Sequence, residues 1–253
     1  MCIRDRSIPL PRRQGSGDYD QSLTFRPTKL IWAARAIVEL IRCILPETIL
    51  LCCSTLFIAF IHDILIDYSW WEFIIYFPFY FLFFIGLPTL VFTLLLKWIF
   101  IGKYKPKHMP MWSKGVWFSE AITSIYESLA VPFFLEFTRG TPWLPFFMRL
   151  FGSKIGKKVY MDTTDITEFD MVELGDCVSL NEASGPQTHL FEDRVMKIGK
   201  IKIGSYSSVG TASIILYDTE IGENVNIGSL SLLMKGETLE KNTNWSGCPV
   251  KSN

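Results

Sequence analysis

Between residues 203 and 245 a large apolar side chain recurs at every sixth position, and few folds tolerate that spacing. The series is Ile203, Val209, Ile215, Ile221, Ile227, Leu233, Leu239 and Trp245. Helical faces repeat every 3.6 residues and strand faces every two, so a period of six suits neither a helix nor a plain hairpin sheet. It suits a β-helix, in which each hexapeptide supplies one flat face and one corner and like positions stack coil upon coil. Glycine follows four members of the series, at Gly204, Gly210, Gly222 and Gly228, where it relieves crowding or supplies an unusual backbone angle near a corner. A small or β-branched residue falls four places after the first five: Ser207, Ser213, Thr219, Val225 and Ser231. Chance hydrophobicity would not also place the glycines.

Upstream the period persists but is broken. Ile155-Gly156 leads in phase to Met161, and Leu174-Gly175 leads in phase to Leu180. The step from Met161 to Leu174 is one residue over two repeats, and the step from Leu180 to Ile203 does not divide by six. An out-of-phase step in a solenoid implies a loop leaving the stack, and such loops tend to carry function. The longer one is Ser184-Gly185-Pro186-Gln187-Thr188-His189-Leu190-Phe191-Glu192-Asp193-Arg194.

The first hundred residues obey different physics. Hydrophobic residues make up 49% of the chain and its mean hydropathy is +0.25, an excess concentrated before Phe100. Residues 73–96 carry no charge and are long enough to cross the ~30 Å hydrocarbon core, with kinks expected at Pro78 and Pro88. Residues 43–66 form a weaker span, interrupted by Glu47, His62 and Asp63. They pair with the first through a short connection holding Tyr68, Trp70 and Trp71, aromatics suited to an interface. Arg26, Lys29, Arg35 and Arg42 precede the hairpin, and Lys97, Lys103, Lys105 and Lys107 follow it. The connection holds only acidic charges, so the positive-inside rule puts both ends in the cytoplasm. Residues 116–150 read as helices along the membrane surface, with a third span as the competing reading.

The expected organisation is a linker over 1–28, a transmembrane α-helical hairpin over 29–102, interfacial helices over 103–151 and an all-β parallel β-helix over 152–253. The opening Met1-Cys2-Ile3-Arg4-Asp5-Arg6 is followed by no apolar signal core and reads as the start of a fragment. Lys+Arg and Asp+Glu balance at 25 each, so no global basic field exists to recruit nucleic acid. The six cysteines show no zinc spacing, and the carboxylates lack the His or Cys partners that a metal site needs.

The Ile/Leu-Gly hexapeptides resemble the left-handed β-helix acyltransferases. Longer stretches resemble the C-terminal region of nonribosomal-peptide-synthetase-like enzymes of the ε-poly-lysine synthetase type. They are Thr28-Lys29-Leu30 with Arg35-Ala36-Ile37-Val38-Glu39-Leu40, Lys97-Trp98-Ile99-Phe100-Ile101-Gly102-Lys103-Tyr104, Gly140-Thr141-Pro142, and Thr188-His189-Leu190-Phe191-Glu192-Asp193-Arg194. The resemblance implies a bacterial plasma-membrane protein with a cytoplasmic, left-handed β-helix. It implies a phosphopantetheine thioester donor, on a carrier protein or coenzyme A. It also implies adenylation and carrier domains in a parent synthetase, and further β-helix copies in tandem or as a trimer.

Of three histidines, only His189 falls in the β-helix half, on the projecting loop. Transfer of an acyl group to an amine needs a base of near-neutral pKa, and the resembled acyltransferases use a histidine. In this reading Glu192 or Asp193 fixes the His189 tautomer, Arg194 holds an acceptor carboxylate, and Asn181 supplies an amide hydrogen bond. The competing reading makes His189 a surface-loop residue and Glu192-Asp193-Arg194 a solvated charge run. Three functions follow: aminoacyl transfer from a carrier thioester, acyl transfer from coenzyme A to a sugar or amino acid, and a non-catalytic scaffold.

Overall fold

The structure is a computed structural model that describes residues 23–24, 26–67 and 69–252. The expected opening linker therefore lies largely outside the described residues, as does Tyr68.

Two long helices come first. Helix α1 (Lys29–Asp67) runs 39 residues, about 58 Å at 1.5 Å per residue, through the buried Pro46. It is nearly twice the length of a bilayer core, and its first turns are not lipid-like. Ile31, Ala34 and Val38 pack on a buried cluster around Tyr104, Met109 and Trp117, and Arg35 pairs with Glu120 at 2.6 Å. Helix α2 (Trp70–Ile101) begins at a capping box formed by Ser69 and Glu72, so Trp70 and Trp71 sit in its first turn rather than in a loop. A π-turn at Leu82–Gly86 precedes Pro88 by one residue, whereas Pro78 lies inside the helical stretch before it. Both helices are long and apolar enough to cross a membrane. Lys97 is not one of the exposed basic residues that the orientation rule counts. It is fully buried, with Nζ 2.9 Å from Asp170 Oδ2.

Past residue 152 the chain winds as expected. Strands pair in parallel on three faces, with partners 18 residues apart: Ile201 with Thr219, Ser208 with Asn226, Ile214 with Leu232. The aliphatic series points inward, and Val209, Ile215, Ile221, Ile227, Leu233 and Leu239 are all buried. The glycines act by close approach. A Cβ on Gly204 would lie 2.6 Å from the Gly222 backbone, and one on Gly222 would lie 2.7 Å from the Lys241 nitrogen. The corners that need a left-handed backbone are instead taken by Lys158, Cys177, Tyr206, Asn224 and Asn242, each two residues before a strand of one face. Asparagine adopts that conformation readily, and Asn224 Nδ2 donates to Asn242 Oδ1 at 2.9 Å on the next coil.

The two broken steps resolve into counted insertions. Tyr160 and Ser179 are partners 19 residues apart, one more than a coil. Gly185 and Ile214 are partners 29 apart, eleven more than a coil. Gly185–Gln187 thus stays in the stack, and the insertion begins after it. It is a β-hairpin, His189–Glu192 with Val195–Ile198, turned by Asp193 and Arg194 at φ 52° and 62°. Two successive positive φ values mark the turn type that matches strand twist. The Lys107–Pro110 strand adds to its edge, and Met111 N donates to Arg194 O at 3.2 Å.

Residues 114–151 do more than lie along a surface. The π-turn Tyr126–Ala130 and helix α4 (Trp143–Phe151) close one end of the prism, and helix α3 (Lys114–Ile125) packs Val116 and Trp117 against Met171 and Met196 beside it. Tyr126, Leu135, Leu144, Met148 and Phe151 are buried in one apolar cluster that continues into Met161, Leu180 and Val209. Phe137, Trp143, Phe146 and Leu150 face outward.

Candidate functional site

The site forms where the hairpin folds back over the helical cap. His189 opens the first hairpin strand, and its Nδ1 lies 2.7 Å from Glu168 Oε2. Glu168 is completely buried. It lies in the coil that is one residue longer than the regular repeat, just before the short turn Phe169–Met171. Thr188 Oγ1 donates to its Oε2 at 2.6 Å, Thr167 Oγ1 at 2.7 Å, and Ser119 Oγ donates to Oε1 at 3.3 Å. Tyr104 Oη backs Ser119 at 3.2 Å. A buried carboxylate is costly unless its lone pairs are filled, and here they are.

The electrostatics follow from these contacts. Burial pushes the Glu168 carboxyl up, but the His189 hydrogen bond and charge, with the hydrogen bonds of Thr188 and Thr167, outweigh it and hold it below its ordinary value. Burial pulls the His189 imidazole down, and the Glu168 hydrogen bond and charge, aided by Glu120 and Glu127, raise it above 6.5 overall. With Nδ1 engaged by the carboxylate, Nε2 is the nitrogen left for a reactant. That is the arrangement of a base with its tautomer fixed.

Two clefts meet at this ring. One, about 670 Å³, runs from the cap to a face of the prism and is lined by Glu127, Val131, Asp165, Pro186, Gln187 and Ile214 among others. The second, about 220 Å³, is lined by Arg42, Ser119, Glu120, Ser124, Glu168 and Met196. His189, Thr123 and Glu127 border both. Glu127 sits in the π-turn, a distortion frequent at functional sites. Burial and the neighbouring Asp165 raise its carboxyl, against the pull of His189. A groove of about 690 Å³ elsewhere crosses the Lys154–Glu173 and Lys202–Glu220 pairs, but it holds no histidine and lies apart from this chemistry.

Over 244 residues the chain is 43% identical to the delta-poly-L-ornithine synthetase of Acinetobacter baumannii (strain AB307-0294). The match takes in 96% of this chain and 18% of that protein, so the chain spans less than a fifth of the curated relative's length. No family model matches. Among solved structures it is similar to AntD, an N-acyltransferase from Bacillus cereus in complex with dTDP and 3-hydroxybutyryl-CoA. That match has a TM-score of 0.31 and 19% identity over 40% of this chain and 58% of that one. A hexapeptide-repeat acetyltransferase from Vibrio cholerae gives 0.33 and 15% over 39% and 60%. Serine acetyltransferase from Neisseria gonorrhoeae gives 0.34 and 21% over 42% and 43%.

The sequence expectations divide at this site. His189 lines both clefts. Glu192 does not orient it: three residues along a strand puts the two side chains on opposite faces. Glu192 instead takes Lys197 Nζ at 3.0 Å and Lys235 Nζ at 2.5 Å, latching the hairpin to the prism. Asp193 and Arg194 occupy the exposed hairpin tip, held there by the turn, and neither lines either cleft. Asn181 Nδ2 donates to Val209 O at 2.7 Å, a bond between stacked coils. Glu168 was missed because no motif marks it. The available signal was its position inside the first out-of-phase step. Among the described residues no cluster of His, Cys, Asp and Glu could hold a metal.

Proposed function

We infer that this chain is a membrane-anchored, acyltransferase-like part of a poly(amino acid) synthetase. It moves an aminoacyl group from a phosphopantetheine thioester to an amine. The observation that carries the reading is the His189–Glu168 pair at the meeting point of two clefts. The amine nitrogen attacks the thioester carbonyl carbon, and His189 Nε2 takes the proton that the nitrogen sheds. The new C–N bond replaces the C–S bond, and the proton passes to the departing thiolate. Glu168 stabilises the imidazolium between those steps. Ser119, Thr167 and Thr188 keep Glu168 ionised in its buried position.

The 670 Å³ cleft, mixed in polarity and within the usual range for ligand sites, suits a thioester arm. The likeness to a poly-ornithine synthetase, of which the chain matches 18%, supports our reading of a carrier protein as donor in place of coenzyme A, with adenylation and carrier domains and further β-helix copies in a parent protein. We read the hairpin as crossing the bacterial plasma membrane twice, with the β-helix cytoplasmic and left-handed. Lys103, Lys105 and Lys107 support that orientation.

The test is transfer from an aminoacyl-pantetheine thioester to L-ornithine by the chain in lipid nanodiscs, wild type against His189→Asn. Asparagine keeps an N–H for Glu168 and so spares the fold, whereas alanine would strand a buried charge. Loss of ~100-fold or more, the low end for a general base, is expected. Equal turnover would leave the β-helix a scaffold.

A further inference from the structure

The smaller cleft contains a charge that the transfer step leaves unused. Arg42 lies on α1, in the apolar hairpin, yet its side chain reaches a cleft bordered by the imidazole. One guanidinium nitrogen pairs with Glu39 Oε2 at 2.8 Å, and the side chain stays about 30% exposed. Glu120, on the same cleft wall, is already engaged by Arg35. At about 220 Å³ this cleft falls below the roughly 300–1,000 Å³ typical of larger ligands, so it has room for something near the size of one amino acid and not for a thioester arm.

We propose that Arg42 anchors the carboxylate of the amine acceptor. The acceptor, an amino acid or peptidyl end bearing both a free amine and a carboxylate, then reaches His189 from the small cleft while the thioester reaches it from the large one. The proposal rests on the aminoacyl-transfer reading and names its acceptor site. Guanidinium recognises carboxylate through paired N–H donors, which orients as well as binds. With the carboxylate held at Arg42, the amine end points along the cleft toward Nε2. The membrane hairpin thereby supplies part of the site, and the role expected of Arg194 passes to a residue 152 positions earlier.

The experiment measures equilibrium binding of L-ornithine and of its carboxamide to the chain in nanodiscs, with no thioester present. The wild type should bind L-ornithine about 10–100-fold more tightly than the carboxamide, the span of one charged hydrogen-bonded contact. Arg42→Gln should lose that margin, binding both ligands with the weaker affinity. Glu39→Gln removes the same ion pair but keeps the guanidinium, and should retain the preference. Failure of the wild type to bind L-ornithine, or an undiminished carboxylate preference in Arg42→Gln, overturns the proposal. So does loss of the preference in Glu39→Gln, which would make the Arg42–Glu39 pair structural. Because turnover is not read, a failure here is distinct from a failure of His189 as base.

Discussion

Replacing Glu168 by Gln keeps the shape of the side chain and removes its charge, which isolates what the carboxylate does for His189. Three strong bonds change character: those from Thr167 at 2.7 Å, Thr188 at 2.6 Å and His189 at 2.7 Å. A hydrogen bond to a charged group contributes about 1.5–3 kcal/mol and a neutral one about 0.5–1.5, so each weakens by about 1 kcal/mol. The variant also escapes the cost of burying a carboxylate, which offsets part of the loss. A net destabilisation of about 1–3 kcal/mol is expected by denaturant titration near pH 6. The kinetic effect has a sign of its own. The base acts unprotonated, so activity rises with pH as His189 loses its proton. Glu168 holds that pKa above the ordinary value, and Gln lets the limb fall to lower pH. The amide can also donate to Nδ1, favouring the tautomer with a proton on Nε2, so transfer should slow about 10–100-fold even on the plateau. The assay is the pH profile of transfer, with the His189 titration followed by NMR. An unmoved limb together with an unchanged plateau would refute the reasoning.

Other outcomes follow from the same contacts. The His189–Glu168 pair should stabilise the fold most between the ordinary values of its members, 4.5 and 6.5. Glu168's contribution is lost as pH falls through its lowered pKa, and that of His189 as pH rises through its raised one; chemical denaturation at several pH values checks this. Glu192→Gln should leave transfer intact and cost about 1 kcal/mol or less, because its lysine partners are partly exposed. Gly204→Ala drives a methyl into the backbone of the next coil, and thermal unfolding should show a loss of about 1–3 kcal/mol or more.

The prism was legible because its rule is local. One inward side chain per six residues repeats whatever the rest of the chain does, and the phase even located both insertions. The β-hairpin follows no such period. Its two strands pair with each other across Asp193 and Arg194, and the distant Lys107–Pro110 strand adds to Val195–Ile198 alone. Proximity in sequence drew attention to Glu192, while the effective partner Glu168 is 21 residues away and adjacent only after one complete coil. The helices of 114–151 carry enough apolar surface for a membrane, and nothing in their pattern says that much of it seals a β-helix. Arg42 in a greasy helix likewise reads as a topology signal until the fold brings it to a cleft that the imidazole also lines.

The apolar cluster common to the cap and the first coils also bears on heredity. A duplication or exchange cut at residue 152 would strip Met161, Leu180 and Val209 of the Tyr126, Leu144 and Phe151 side chains that cover them. It would also part His189 from Ser119 and Arg42. A β-helix of this kind can therefore be copied or traded with its chemistry intact only as a cassette that carries its own helical lid and membrane hairpin.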